Sequence, residues 1–303
     1  MIRYNKMKGE INMTMNQAIF EDYQAHLTQN HSKRSVDAYC RDIKRFMEQL
    51  KGSIKDTTQA DVEDYLNHLK AEVKPNGEPK LKPASIRRCY SSLNNFFTYL
   101  VGAGELEANP LADMDSPKQS RVSEAIDYIT PEEVDQLIEM AYELNQDKFV
   151  KLREALAIQL TAETGIRMGE MLAMTISQLN VEQQQATIVS KEGLVRQVPM
   201  SDALTELVQS YLTERQKIQC PKNNRHLVFV TTRGGKYTTQ LCHGSLTRYA
   251  EATGIKRVSN SLLRHTCAYQ LIQQGKTMEE MAKLLGHASP HTIKENYGKW
   301  MNI

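Results

Sequence analysis

The feature that most constrains this chain is the recurrence of apolar residues at helical spacing along most of its length. Residues 16–100 contain four such segments in succession. The first spans residues 15–27, and the others begin at Ser32 and Thr58, which are typical N-cap residues, and at Pro83. Short connections between amphipathic helices predict a four-helix domain.

The second half of the chain is also predicted to be mainly helical. Thr130, Pro131 and the acids after them form a strong helix start, with an N-cap, a proline in the first turn and negative charge at the helix N-terminus. Residues 151–164 are apolar nearly all round, which predicts a central helix that ends at Gly165. Further helices are predicted after Gly165 and over residues 201–218, 239–253, 262–272 and 278–285.

Strand patterns are confined to two regions. Residues 187–191 and 194–199 alternate between apolar and polar side chains around Glu192 and Gly193, which predicts a hairpin with Lys191 beside its turn. The apolar run 227–230 predicts one more short strand. The expected fold class is therefore mainly α: a four-helix N-terminal domain followed by a mixed, mostly helical domain with a small antiparallel sheet.

Composition limits the function classes only broadly. The 303-residue chain is 40% hydrophobic and 24% charged, which is ordinary for a globular protein. No segment approaches the roughly 20 apolar residues of a membrane span, and the basic residues 1–9 lack the apolar core of a signal peptide. We therefore expect a cytoplasmic protein without membrane contact. The five cysteines are scattered without a CxxC pair, so no metal site or disulfide framework is expected.

Two helices of the four-helix domain have basic polar faces. Lysine, arginine, serine and asparagine side chains are those that contact phosphates and base edges of nucleic acids. The alternative is a solvated helix face whose charges are balanced by Asp37, Asp42 and Glu48, and the net charge of +2 is weak evidence for a nucleic-acid partner. The candidate DNA-binding residues are Arg34, Arg41, Lys44, Arg45, Arg87 and Arg88.

The last forty or so residues combine side chains that are unusual for a core. Arg264 and His265 lie near the start of one predicted helix, His287 follows the end of the next, and Tyr297 lies ten residues further on. Such a set could grip a phosphodiester and attack it. Each residue also has a simpler explanation, because an arginine can form a structural ion pair, a histidine can cap a helix and a tyrosine can pack on a core.

Five motifs occur in one order: Thr164-Gly165-Ile166-Arg167-Met168-Gly169-Glu170, the hairpin Lys191, Leu262-Leu263-Arg264-His265-Thr266, Leu285-Gly286-His287, and Tyr297. In this order they resemble the tyrosine site-specific recombinases, the phage integrase family. The resemblance covers almost the whole chain, because the N-terminal four-helix unit is similar to that family's SAM-like core DNA-binding domain. Five ordered motifs are far more specific than any one of them.

The resemblance implies a role for each motif residue. Arg167 and Arg264 would hold the scissile phosphate, and His287 would hydrogen-bond it. Tyr297 would attack the phosphorus and form a covalent 3′-phosphotyrosine, while Lys191 would donate a proton to the leaving 5′-oxygen. Such an enzyme breaks and rejoins DNA strands without a metal, a cofactor or ATP.

The resemblance also implies a domain plan and partners. Residues 1–15 would be a flexible extension, 16–105 the core DNA-binding domain, 106–127 a linker and 128–303 the catalytic domain. The substrate would be double-stranded DNA, and the protein would be a monomer in solution that acts as a homotetramer on two paired sites. Integration of a mobile element, resolution of DNA dimers and inversion all stay open.

Two positions depart from the family pattern. Ser261 stands where the family has a histidine, and a hydroxyl cannot hold a proton at neutral pH as an imidazole does. His265 is adjacent to Arg264, but one step along a helix turns a side chain about 100° away. Only six residues follow Tyr297, whereas many relatives continue into a helix that docks on the neighbouring subunit. Trp300 could pack on that subunit or on its own core, and its own core is expected by default.

Three functions follow from these observations. The leading hypothesis is an active recombinase, because both arginines, the lysine, His287 and Tyr297 are all present. Ser261 supports the alternative of a catalytically inert DNA-binding relative that occupies its site as a regulator. A helical interaction module without nucleic acid is the third, and the modest net charge permits it.

Overall fold

The computed structural model describes residues 2–50, 52–117 and 128–301, with only the backbone for residues 2–12. The chain divides into two compact units, Met1–Val122 and Ser123–Ile303, and each has its own buried core. The expected fold class, mainly α with a small antiparallel sheet, is confirmed. None of the helices described is both long and apolar enough to cross a bilayer.

The described residues of the first unit form four α-helices. At the start of α2 the Ser32 hydroxyl accepts a hydrogen bond from the backbone N–H of Ser35, and at the start of α3 Thr58 and Asp61 form a reciprocal capping box. These local caps fix the helix starts that the sequence predicted. The bounds are α1 Ile2–Asn30, α2 Lys33–Gln49, α3 Gln59–Ala71 and α4 Pro83–Gly102.

Helix α1 begins earlier than the sequence pattern indicated. The predicted start was residue 15, and this is wrong, because the backbone is helical from Ile2. Residues 2–14 contain no proline, and six of the thirteen are good helix formers (Arg, Lys, Met or Glu), so the helix continues through Gly9 despite the unfavourable propensity of glycine. The apolar stripe marks where α1 meets the core, at Ile19 and Phe20, and not where the helix begins.

Aromatic side chains join the four helices of this unit. Tyr23 of α1 meets Phe96 of α4 edge-on, with ring centroids 4.9 Å apart. Phe46 of α2 meets Tyr65 of α3 in the same way at 5.1 Å. Edge-to-face pairs of this kind stabilise a core beyond their buried area.

Two carboxylates hold basic residues of the predicted polar faces. Asp42 is only 6% exposed and accepts hydrogen bonds from both terminal nitrogens of Arg88 and from the Ser92 hydroxyl. The alternative of a solvated helix face therefore does not hold for Asp42, because α4 packs against that side of α2. Glu72 holds Arg45 through one terminal nitrogen: Nη2 donates to both carboxylate oxygens, at 2.6 and 2.7 Å.

Part of the predicted linker 106–127 is packed on the first unit. Leu111 is buried in its core, and Leu106 and Met114 pack against the same core. The Tyr90 hydroxyl also donates to the backbone oxygen of Met114 at 2.7 Å. The glycines and prolines near this segment indicated a linker, but its three apolar side chains bind it to the core. Residues 118–127 lie outside the described residues.

The described part of the second unit contains eight α-helices, arranged around α6. Helix α6 is buried on nearly all sides, as its composition predicted, and packs against α5, α8 and α10. Thr130 caps α5 with Glu133 in a capping box, and Ser201 caps α8. The bounds are α5 Pro131–Glu143, α6 Lys148–Thr164, α7 Met168–Ala173, α8 Asp202–Arg215, α9 Thr239–Thr253, α10 Asn260–Gln273, α11 Met278–Leu285 and α12 Pro290–Tyr297.

The sheet of the second unit is antiparallel, with strand order β1-β2-β3. Strands β2 and β3 form the predicted hairpin, in which Val189 pairs with Val195 next to the turn. The bounds are β1 Leu179–Asn180, β2 Gln185–Val189 and β3 Val195–Pro199.

Residues 227–230 do not form the predicted strand. Leu227 and Val230 each make one isolated bridge, to Thr175 and Lys236. The four residues are apolar because all of them are buried in the core of this unit. The apolar run therefore indicated buried residues correctly, but the prediction of a β-strand there is wrong.

We expect Asp42→Ala to lower the free energy of unfolding of the first unit by about 1–3 kcal/mol, because Ser92 and Arg88 lose a charged acceptor. Chemical denaturation followed by circular dichroism measures this. Asp37→Ala is the matched control, since Asp37 is exposed on the same helix, and we expect it to change the stability by less than about 0.5 kcal/mol. Equal effects of the two substitutions would contradict the structural role of Asp42.

Candidate active site

Arg264 is the buried centre of the candidate site. Ser259 caps α10, which places Arg264 in the second turn of that helix with only 8% of the residue exposed. Its Nη1 donates to the backbone oxygen of Gly165, and its Nη2 donates to that of Leu285 at 2.7 Å. These oxygens lie at the C-terminal ends of α6 and α11, where the helix dipole is negative. Backbone dipoles therefore stabilise a charge that is almost removed from water.

Two glycines allow these helix ends to approach. Gly165 has φ +61° and Gly286 has φ +67°, both in the left-handed region that favours glycine. A Cβ atom on Gly286 would lie 2.7 Å from Nη1 of Arg196, and a Cβ atom on Gly165 would collide with the Leu285 side chain. Glycine is therefore needed at both positions for packing as well as for backbone conformation.

Arg167 lies on the same pair of helix ends. Its Nη2 donates to the backbone oxygen of Gly286 at 2.7 Å, and its Nη1 donates to Oε1 of Glu170 at 3.0 Å. In contrast to Arg264, its side chain is 40% exposed. Its position at the start of α7 thus fixes the guanidinium while leaving part of it open to an incoming ligand.

Glu170 and Arg196 belong to the site, although the sequence analysis gave them no role. Arg196 donates to both carboxylate oxygens of Glu170, at 3.0 and 2.7 Å, and to the backbone oxygen of Leu284 at 3.0 Å. Burial alone would raise the pKa of Glu170, but hydrogen bonds from Arg196 and Arg167 hold it below its usual value. Arg196 had one signal in the sequence, a charge at a position that faces inward beside Val198 in an alternating strand.

His287 is neutral in this environment. Burial, followed by the charges of Arg264 and Arg167, lowers its pKa to about 4. The Nε2 atom lies 3.0 Å from Nη2 of Arg264. Since a guanidinium only donates, Nε2 must accept, and the ring proton therefore lies on Nδ1. The imidazole thus has one N–H that can be offered to a further acceptor.

Tyr297 ends α12 and is only 2% exposed. Its ring meets those of His265 and His287 edge-on, with centroids 5.6 and 6.3 Å away. Burial raises the pKa of the Tyr297 phenol, and the charge of Arg264 and a hydrogen bond from it act in the opposite direction. The phenol is therefore protonated at neutral pH and lies against the group best suited to stabilise its ionised form.

His265 contacts the site, contrary to what the sequence analysis inferred from its neighbour Arg264. The relevant spacing is from Ser261, four residues earlier, because side chains at i and i+4 share a helix face. Ser261 itself is exposed in the first turn of α10. An imidazole therefore lies one turn beyond the serine and against the ring of Tyr297.

Lys191 is exposed at the tip of the β2–β3 hairpin. Its neighbour Glu192 has a pKa below the usual value, mainly because it accepts hydrogen bonds from its own backbone and from Ser190. The charges of Lys191 and Arg167 lower this pKa by a smaller amount. The hairpin tip is therefore within electrostatic reach of Arg167. The structure brings Arg167, Arg264, His287 and Tyr297 together and leaves Lys191 at the edge.

The site has more positive than negative charge. Burial and the charge of Arg167 lower the pKa of Arg264 to about 10, so that it is still charged at neutral pH. With Arg196 the site holds three guanidinium groups against the carboxylate of Glu170. Such a site favours an anion with several oxygens. Among the described residues, no group of three or more His, Cys, Asp or Glu side chains could hold a metal ion.

The six candidate DNA-binding residues are in the first unit. Arg45 and Arg88 are paired with Glu72 and Asp42, and the Lys44 ammonium lies 5.2 Å from the centre of the Phe20 ring. Those exposed to solvent are Arg34, Arg41, Lys44, Arg87 and Arg88.

The low pKa of His287 predicts a specific dependence of stability on pH. Between about pH 6.5 and about pH 4 the unfolded chain protonates this imidazole and the folded chain does not, so acidification lowers the free energy of unfolding across that window. We expect His287→Gln to make this decrease shallower by a fraction of one bound proton, as measured by urea denaturation at several pH values. His243→Gln, at an exposed histidine of α9, is the matched control, and an unchanged slope in His287→Gln would contradict the neutral buried imidazole.

Each of the two units matches a known protein family model. Residues 127–300 match the phage integrase family, and residues 15–104 match its N-terminal SAM-like domain. The tyrosine recombinase XerC of Roseiflexus castenholzii is 27% identical over 288 residues, which cover 92% of this chain and 88% of that protein. The tyrosine recombinase XerD of Shewanella oneidensis is 29% identical over 267 residues, which cover 87% of this chain and 85% of that protein.

Solved structures with low sequence identity share the fold. The XerH site-specific recombinase bound to its palindromic difH substrate superposes with a TM-score of 0.72 at 20% identity, covering 90% of this chain and 79% of that one. The Tn1549 transposon integrase in complex with a circular intermediate DNA gives a TM-score of 0.75 at 16% identity, covering 92% and 94%. Because the phage integrase profile alone spans more than half of the sequence, the chain belongs to the phage integrase family of tyrosine-type site-specific recombinases.

Proposed function

We propose that this protein cuts and rejoins duplex DNA at a specific site through a covalent bond between Tyr297 and a 3′-phosphate. The observation that carries the proposal is the convergence of Tyr297, Arg264, Arg167 and His287 from four separate segments. Packing accounts for the burial of the phenol and for the contacts of Arg264 with two helix ends, but it does not require a second arginine and a neutral imidazole beside them. A scissile phosphodiester would complete the charge balance of this site.

The two arginines would bind the non-bridging oxygens of that phosphate. Each guanidinium is fixed by backbone oxygens, Arg264 by Gly165 and Leu285 and Arg167 by Gly286, and each has further N–H groups to offer. Fixed donors need no reorganisation when negative charge develops in a pentacoordinate transition state, which is the main source of catalysis in such sites. The Nδ1–H of His287 would add a third donor.

Tyr297 would supply the nucleophile. Its phenol would pass its proton to a neighbouring base, for which the His265 imidazole lies against the Tyr297 ring. The phenol oxygen would then bond to phosphorus as the bond from phosphorus to the 5′-oxygen breaks. Lys191 would protonate the leaving 5′-oxygen after the hairpin moves over the phosphate. The 3′-phosphotyrosine retains the energy of the broken ester, so that a 5′-hydroxyl of another strand can reverse the reaction without ATP.

DNA binding is assigned to residues 16–105 and the chemistry to residues 128–303, joined through the segment 106–127. In the first unit Arg34, Arg41, Lys44 and Arg87 would contact phosphates or bases, while Arg45 and Arg88 would contribute within their ion pairs. The solved relatives XerH and λ integrase are bound to DNA in their crystal structures, which supports this partner.

We further propose that four copies act together on two paired sites, in the cytoplasm.

A catalytically inert, site-occupying regulator is the second candidate, and Ser261 is the observation that favours it. A serine cannot replace the proton-holding function of a histidine. The contact between His265 and Tyr297 favours retained activity, because an imidazole is still present beside the nucleophile.

A cleavage assay separates these two functions. A binding site is first selected from a randomised duplex library with the Tyr297→Phe variant, and nicked duplexes carrying that site are then incubated with the wild-type protein. We expect a covalent protein–DNA adduct that survives denaturation with the wild type, and none with Tyr297→Phe, which retains DNA binding. Binding without an adduct that Ser261→His converts into cleavage would mean an impaired site, and binding that this variant cannot convert would support the regulator.

Salt dependence tests the proposed DNA-binding face. Each phosphate contact contributes about 0.9 to the slope of log K against log salt concentration, so we expect Arg41→Ala and Arg87→Ala each to reduce the slope by about that amount. Lys70→Ala is the control, since Lys70 is exposed on α3 outside the proposed face. Fluorescence anisotropy with the selected duplex measures the slopes, and unchanged slopes in both arginine variants would contradict this face.

A further inference from the structure

The single tryptophan of the chain covers the ring of Tyr297. Trp300 lies three residues after the tyrosine, and its backbone N–H donates to the backbone oxygen of Tyr297 at 2.9 Å, so the two side chains are on the same side of one helical turn. Their rings are stacked, with centroids 5.5 Å apart and an angle of 24° between the planes. The phenol therefore has an indole along one face.

Three other rings fix the indole in turn. Tyr128, Tyr269 and His265 all meet Trp300 edge-on, with centroids 5.4, 5.7 and 6.3 Å away. Tyr128 and Tyr269 are themselves stacked at 4.0 Å. We call these four residues the ring cluster: Tyr128, His265, Tyr269 and Trp300. Perpendicular contacts on several sides define the orientation of the indole as well as its position.

Packing against α11 keeps helix α12 in place. It spans only the eight residues Pro290–Tyr297, and a helix of that length is not stable by itself. Its buried residues, Ile293 and Tyr297, belong to the same core as residues of α10 and α11. This packing places the helix, whereas the orientation of the phenol depends on further contacts of Tyr297 itself, with Arg264 at its oxygen and with His265, His287 and Trp300 at its ring.

We propose that Trp300 is a positioning residue for nucleophilic attack by Tyr297. The indole holds the phenol ring against Arg264, and Tyr128 and Tyr269 hold the indole. The inference rests on the proposed function, in which Tyr297 attacks a phosphate. Attack in line with the leaving oxygen tolerates little displacement, and an error of about 1 Å in such a site costs about a hundredfold in rate. All residues of the ring cluster belong to the same chain as the tyrosine they position.

Single-turnover adduct formation on the selected nicked duplex tests the proposal. We expect Trp300→Leu, which keeps apolar volume without an aromatic ring, to form the adduct about tenfold to a hundredfold more slowly at unchanged DNA affinity. Trp300→Phe restores most of the rate because it restores a stacked ring. Met301→Ala is the matched control. Met301 packs, like Trp300, on the small core that includes Ile293 and Tyr297, but it does not belong to the ring cluster. We expect this variant to cleave at nearly the wild-type rate.

A substrate with sulfur in place of the bridging 5′-oxygen distinguishes positioning of the nucleophile from protonation of the leaving group. A thiolate leaves without a proton donor, so this substrate restores cleavage by Lys191→Ala and not by Trp300→Leu. Wild-type rates in folded Trp300→Leu, or recovery of that variant on the sulfur substrate, would overturn the proposal. Absence of any adduct with the wild type would instead overturn the proposed function, and the inference with it.

Tryptophan emission provides a second readout that needs no DNA. Because the chain has one tryptophan, its spectrum reports on Trp300 alone. We expect Tyr297→Ala to shift the emission to longer wavelength, since removal of the stacked phenol exposes the indole to water, and Tyr297→Phe to leave it nearly unchanged. An identical spectrum in Tyr297→Ala would overturn the stacking on which the proposal depends.

Discussion

The structure of the second unit depends on one buried guanidinium. Arg264 bonds to the terminal carbonyls of two helices, at Gly165 and Leu285, and so connects α6, α10 and α11 at one point. These bonds are possible because each helix ends in a left-handed glycine, which turns the chain sharply and lets the carbonyls face inward. The same glycines start the segments that carry Arg167 and His287. The same two glycines therefore end the helices and bring the site residues together.

The charge of the site is arranged for a ligand and not for stability alone. A buried cation without a partner is costly, and the described hydrogen-bond partners of Arg264 are backbone oxygens, an imidazole and a phenol. The carboxylate of Glu170 is committed to Arg196 and Arg167. Burial, and after it the charges of neighbouring arginines, lower the pKa values of Arg264 and His287. In the proposed function, the charge of a bound phosphate would offset the second of these causes.

Local features of this chain were readable from its sequence, and long-range ones were not. Helix starts at Ser32, Thr58 and Thr130 depend on atoms within four residues, and motif order identified the family and its expected site. The pairing of Arg196 with Glu170 joins residues 26 positions apart and has no local signature beyond a charge at an inward strand position. Three other features likewise arise only when helices pack: the burial of Asp42, the packed start of the linker and the bridges at residues 227–230.

The most direct test of this account is to locate the covalent bond to DNA. Adduct from the nicked duplex is digested with nuclease and trypsin, and the peptide that retains a nucleotide is sequenced by mass spectrometry. We expect residues 295–299, with the nucleotide joined through its 3′-phosphate to Tyr297, one of 13 tyrosines in the chain. A bond to Tyr128 or Tyr269, which belong to the ring cluster next to Tyr297, would contradict the proposed role of Tyr297. A linkage through a 5′-phosphate would contradict it as well.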